Sequence, residues 1–429
     1  MNWRVWMRSP GARIVAAGVA AIAVAGLAVV VLSPGQPGPA AVPVDASGYL
    51  ASSQITAGED YRGDTRALLL AALVVELGAL GLLALVLPRR LSRLSFLERR
   101  PFLGGAAVGC GLSLLLAVLV VPVGWIGHEL AVDVGLSVQG AASWIYDRVR
   151  SIGIGALYAA IGALLLVLLQ RRLPRTWWAA GAGVIVGFAI VVSFLAPVVI
   201  APVFNDFEPI EAGPLRSDVV ELAERADVDI GDVYSVDASS RRTSLNAYIA
   251  GLGSTRRVVL YDNLIDAAER DALLSVVAHE LAHVKQNDIP RGILFVALVA
   301  PLGMLFVRGL GDAIARRAGT GPGRAAAVPA YALAITVASL ALGLIGNQLS
   351  RQVEERADRF AIELTGQPEA LIAQRVESAE RNVSDPDPPG WFSAVFGSHP
   401  STIDRIGIAE GYLRAPRGNG KGSDGPRAP

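Results

Sequence analysis

Apolar runs of helical length recur along this 429-residue chain, and they restrict its possible folds more than any other feature. The clearest, IVAAGVAAIAVAGLAVVVL over residues 14–32, carries no charge and is long enough to cross a hydrocarbon core of about 30 Å. Comparable runs lie near residues 67–87, 102–126, 152–169, 177–199, 293–310 and 325–345, which makes about seven candidate spans. The uncharged part of the sixth is short, so that run either continues the preceding helix or crosses at an angle. The first run follows Arg4, Arg8 and Arg13, as a secretory signal would, but it exceeds a usual signal core and further spans follow; a retained anchor is expected.

Two segments break the apolar pattern, residues 201–290 and 350–414, and both have the charge density of water-facing structure. Two spans within residues 291–349 return the chain to the side it left, so the polar halves can form one domain. Before them lies a five-span region, residues 1–200, containing a Pro-, Gly- and Ser-rich stretch at 33–65 that reads as an exposed loop. Residues 415–429 read as a disordered tail. With 38 basic and 38 acidic residues there is no bulk field to hold a nucleic acid, and no nucleic-acid partner is expected. The single cysteine, Cys110, excludes an intramolecular disulfide and a cysteine-based metal cluster. Any metal must be held by histidine and carboxylate.

Two of the four histidines fall in LLSVVAHELAHVKQND. The surrounding sequence favours a helix, on which His279 and His283 sit one turn apart and can reach the same cation. Glu280 can point into the same cleft, take a proton from water and pass it to a leaving amine. Composition alone predicts about 0.003 matches to such a pattern in this chain, so chance is a poor explanation. A catalytic zinc site also needs a third protein ligand and an open position. After the last span, NQLSRQVEERADRFAIEL offers Glu354 and Asp358 one turn apart. Either could ligate while the other orients a histidine or donates a proton. An ordinary solvated face of i,i+4 pairs fits the spacing equally well.

AHELAHVKQND, SRQVEERADRFA and GSHPSTIDRI, together with APVFNDFEPI and SLNAYIAGLGSTRRVVLYDNLI, resemble the integral-membrane zinc endopeptidases of the type I CAAX prenyl protease (a-factor-converting enzyme) family. The resemblance implies a mainly α fold: a polytopic helical protein of the cell membrane with a split gluzincin-type α+β zinc metalloprotease domain. It implies His279, His283 and Glu354 as ligands of Zn2+, Glu280 as catalytic base and Asp358 as an acidic partner. His399 and Arg405 are implied near the scissile carbonyl, where a preorganised donor lowers the barrier by a few kcal/mol. Many members carry a further histidine where this chain has Asp288, a position that is not a metal ligand in the family. The expected partners are a membrane-associated peptide or protein substrate and the lipid bilayer. Chemistry is carried over, specificity is not. The competing class is a transporter or scaffold with a regulatory zinc site.

NAYIAGLGSTRRVVLYDNL reads as two short strands around GLGST. It is either an ordinary hairpin or a strand edge that holds an extended substrate, with Asn246 as a substrate-positioning amide. Glu76, within the second span, should face a cavity or a partner, or be protonated. His128 is expected to be interfacial. Every arginine cluster falls on one side of a seven-span layout. The positive-inside rule makes that side cytoplasmic and puts both polar halves outside, whereas the eukaryotic members of the family face the cytosol.

Overall fold

The structure is a computed structural model that describes residues 9–195, 199–251 and 256–415. The expected tail, apart from Ala415, and the GLGST turn beyond Gly251 lie outside the described residues. Five long helices come first: α1 (Pro10–Leu32), α2 (Ser52–Leu91), α3 (Pro101–Asp133), α4 (Ala141–Arg172) and α5 (Trp177–Leu195). Then come β1 (Phe207–Pro209), α6 (Pro214–Arg225), β2 (Asp232–Val236), β3 (Ala247–Ala250), β4 (Arg257–Tyr261) and α7 (Arg270–Lys285). The long helices α8 (Asp288–Arg317) and α9 (Val328–Thr365) follow, and α10 (Pro368–Arg381), α11 (Gly390–Phe396) and α12 (Thr402–Arg414) complete the chain. Seven of these helices are long and apolar enough to cross a membrane. Lipid offers no partner to a bare peptide group, so a span must satisfy its backbone internally, as a helix does.

The sixth span is a separate helix. Asn287, in the left-handed region at φ 57°, breaks the path between α7 and α8, a conformation that asparagine tolerates better than most residues. The seventh does not stop at the membrane. The 38 residues of α9 measure about 57 Å, nearly twice the hydrocarbon thickness. Its second half leaves the bilayer and carries Glu354 and Asp358 into the polar domain.

That domain is built on a four-stranded sheet of order β1-β2-β4-β3. β2 and β4 are parallel, while β3 is the terminal strand, antiparallel to β4 and with no second strand partner among the described residues. Val258, Val259 and Leu260 are fully buried, as the unbroken apolar run of a central strand requires. Val258 and Leu260 pack with Val219 and Leu222 of α6, Val277 and Leu281 of α7 and Ala361 of α9. The apolar face of α7 is thereby fixed on the sheet, and its histidines face the other way.

The loop expected over residues 33–65 is corrected in two respects. Residues 52–65 are the first turns of α2, running unbroken into the second span. They are helical because they dock on the segment after α10. Arg62 donates to the carbonyls of Asn382 (2.7 Å) and Val383 (3.1 Å), and Arg66 pairs with Asp385 at 2.6 Å. Gly58 permits the approach, since a Cβ there would lie 2.1 Å from the Ser384 carbonyl oxygen. The residues before α2 are not free either. Arg359 donates to the carbonyls of Pro37 (3.3 Å) and Pro39 (2.5 Å), and Val42 N–H donates to Gly407 O at 2.9 Å. Tertiary contacts overrule the turn chemistry of this stretch.

Arginines from both parts of the membrane region meet at one end. Arg89, Arg90, Arg93 and Arg317 line one cleft, Arg308 donates to Arg175 O, and Arg324 pairs with Glu98. That end of α9 is the one remote from Glu354. Glu76 lines a cavity of about 560 Å³ among α2, α3, α4 and α9, consistent with the cost of a carboxylate facing lipid. His128 is buried, with its ring 5.5 Å from Trp144 and 5.3 Å from Trp125. Near the end of α3, it packs that helix on α4.

Candidate metal centre and active site

His279 and His283, one turn apart on α7, bring their Nε2 atoms to 3.3 Å with the rings nearly perpendicular. α9 crosses this face and places Glu354 Oε2 3.2 Å from His279 Nε2 and Glu354 Oε1 3.7 Å from His283 Nε2. Both Nδ1 atoms are engaged by carboxylates, His279 with Asp358 Oδ1 and His283 with Asp288 Oδ2, each at 2.9 Å. A carboxylate only accepts, so both Nδ1 atoms donate. Both Nε2 atoms then present lone pairs to each other and to Glu354, whose buried Oε2 has no hydrogen bond.

These residues fit a metal ion. Three ligand atoms converge within 4.8 Å of one another. Around a tetrahedral zinc with bonds of about 2.0–2.1 Å, ligand atoms lie roughly 3.3–3.4 Å apart, close to the 3.3 Å between the two Nε2 atoms and the 3.2 Å from His279 Nε2 to Glu354 Oε2, with Glu354 Oε1 3.7 Å from His283 Nε2. Burial opposes a positive charge on His279, yet Asp358 and Glu354 outweigh it and raise its pKa. Positive charge is favoured here.

Glu280 lies in the same pocket, of about 300 Å³, which is also lined by Asn246, Glu354, His399 and Arg405. Burial raises its pKa above the ordinary carboxylate value, His279 and His283 acting in the opposite sense. His399, from the loop before α12, lies 3.0 Å from Glu354 Oε2 with its side chain 60% exposed. Arg405 is deeper. Its Nε and Nη2 donate to the two oxygens of fully buried Asp358 at 2.6 and 2.5 Å, with Nη2 also 3.2 Å from His279 Nδ1. Asn246 stands just before β3, where its carbonyl accepts from Tyr261 N–H. All eight residues singled out from the sequence therefore gather here, seven around the pocket and Asp358 behind His279.

Sequence reasoning passed over Asp288 as a non-ligand. It acts on a candidate ligand instead, accepting from His283 while Arg291 donates to its other oxygen. A carboxylate a few residues beyond a ligand histidine was the available signal, because metal-bound imidazoles generally donate their second N–H. Asp288→Ala is expected to weaken metal binding about 10–100-fold, as measured by competition with a chelating dye. Unchanged affinity would reduce the contact to loop packing. Gln374, Arg375, Ser378 and Asn382 of α10 and its C-terminal end also line the pocket, and no local pattern marked them.

Known proteins were compared with this arrangement. Residues 209–412 match peptidase family M48, and residues 42–206 match the CAAX prenyl protease N-terminal region of five membrane helices. The uncharacterized metalloprotease YhfN of Bacillus subtilis is 32% identical over 310 residues, 71% of this chain and 73% of that protein. CAAX prenyl protease 1 of Saccharomyces cerevisiae is 27% identical over 323 residues, 69% of either chain. The crystal structure of S. mikatae Ste24p shares the fold at 18% identity, with a TM-score of 0.70 over 94% of this chain and 99% of that one. The chain belongs to peptidase family M48 and is a multi-pass membrane metalloendopeptidase.

Proposed function

We propose that the metal is zinc, held by His279, His283 and Glu354, and that the enzyme hydrolyses peptide bonds of a membrane-associated protein or peptide, without a nucleic-acid partner. The observation that carries this reading is the convergence of two imidazole Nε2 atoms, 3.3 Å apart, on the Glu354 carboxylate, whose Oε2 lies 3.2 Å from His279 Nε2 and whose Oε1 lies 3.7 Å from His283 Nε2. When bound, zinc supplies Lewis acidity to the attacking water and the scissile carbonyl. Glu280 removes a proton from that water and delivers it to the leaving amine. His399, exposed beside Glu354, donates to the oxygen on which negative charge develops. Asp358 and Arg405 act through His279. Asp358 holds its Nδ1–H, and Arg405, with two nitrogens committed to Asp358, holds Asp358 in place. The edge of β3 away from β4, with Asn246 beside it, suits an extended substrate backbone.

In this reading residues 201–290 and 350–414 are two halves of one catalytic domain, divided by the two spans in 291–349. Both halves are needed for the ligand set, since Glu354 comes from the second. Dialysis of the purified protein against a strong chelator is expected to abolish cleavage of a peptide library. Stoichiometric Zn2+ should restore it, with one ion bound per chain by elemental analysis. Restoration by Mg2+ but not by Zn2+ would overturn the assignment.

A further inference from the structure

Arg375, on α10, lines the same pocket as the α7 histidines. Its Nε is sealed from solvent with no hydrogen-bond partner, and no carboxylate lies in ion-pair contact with its guanidinium among the described residues. Three neighbouring arginines of this half are engaged through at least one nitrogen. Arg405 grips Asp358, Arg351 donates to the carbonyls of Ser393 and Gly397, and Arg359 to those of Pro37 and Pro39. Arg375 is half-buried, and of the donors of its guanidinium the sealed Nε–H is the one cut off from water, a donor that is costly to leave without a partner. Next to it, Gln374 Oε1 is also buried without a partner, its amide nitrogen donating to Ser378. The charges agree with this picture. Glu280, Glu354 and Asp358 face Arg375 and Arg405, so a divalent ion turns the group net positive.

We propose that Arg375 binds a carboxylate of the peptide substrate near the scissile bond, making it a specificity-determining residue for anionic substrates. This rests on the peptidase reading of the same pocket. A planar guanidinium recognises a carboxylate through paired N–H donors, which lysine cannot fully reproduce. The carboxylate has two possible sources, a free C-terminus close to the cut or an acidic side chain beside it.

The test uses full-length enzyme in detergent and three peptides of otherwise identical sequence: one with a free C-terminal carboxylate, its C-terminal amide, and the amide with Glu replacing Gln after the cut. Wild type should favour one of the two anionic peptides over the neutral one by about tenfold or more in kcat/KM, mainly through KM. Which one is favoured identifies the source. Arg375→Gln should bring the ratio close to one and Arg375→Lys should recover part of it. Equal cleavage of all three peptides by wild type, or an undiminished ratio in Arg375→Gln, overturns the proposal. Anisotropy titrations of the labelled peptides onto Glu280→Gln enzyme, with and without Arg375→Gln, repeat the comparison without turnover. Absent cleavage would then count against the peptidase reading alone, while binding still decides this one. Should Arg375→Gln lose its metal through misfolding, the wild-type ratio and the lysine variant decide it.

Discussion

Glu280→Gln will retain its metal and cleave peptides about two to four orders of magnitude more slowly than wild type, the usual contribution of a positioned general base. Glutamine keeps the size of glutamate and its place in the pocket but cannot take a proton from water. The contacts that define the proposed ligand set run among His279, His283 and Glu354 and leave Glu280 out, so the substitution should not disturb them. Burial, the largest influence on Glu280, raises its pKa, which makes the ionised side chain a stronger proton acceptor than a solvated glutamate. Elemental analysis and a cleavage assay on wild type and variant, run side by side, test both halves of the expectation. Cleavage within tenfold of wild type would remove Glu280 from the chemistry. Flux of a solute in liposomes that survives the substitution would favour the transporter class.

The part of this site that was legible in the sequence is the part set by a single helix. His279, Glu280 and His283 take their relative positions from one turn of α7, so spacing alone was sufficient. Glu354 and Asp358 share a helix face, as their spacing indicated, but the choice between them depends on how α9 crosses α7, which no local pattern encodes. Both carboxylates reach the same imidazole, Glu354 at Nε2 and Asp358 at Nδ1. The spacing argument left them tied because they do sit side by side. The solvated-face alternative fails for the same reason, since docking against α7 and α12 buries residues that hydropathy would leave in water. The spans were legible because lipid constrains every residue along them, yet their ends were not. A helix runs past the membrane wherever other contacts support it, as α2 does through Arg62 and Arg66. Arg375 and Asn382 reach the pocket only because α10 packs where it does.

Arg405→Ala should destabilise the protein by about 3–5 kcal/mol, because it leaves Asp358, fully buried, as a charge without its partner. The effect should extend to the metal. Asp358 accepts from Nδ1–H of His279 and thereby fixes the ring that presents Nε2 to Glu354, so zinc affinity should fall about 10–100-fold as well. Ser401 caps α12 by accepting from Asp404 N–H, while Asp404 accepts from Ser401 N–H. That cap sets the register of α12 and hence the reach of Arg405. Thermal unfolding in detergent and a zinc competition titration measure the two effects separately. The double variant Asp358→Leu with Arg405→Met separates their causes. Replacing a buried ion pair by apolar side chains of similar volume is often close to neutral for stability, so the melting temperature should largely return. Zinc affinity should not, because the His279 Nδ1–H would still lack an acceptor. If the double variant recovers both, the pair matters only for packing. If Arg405→Ala melts within about 1 kcal/mol of wild type, the pair is too weakly coupled to be positioning the ligand.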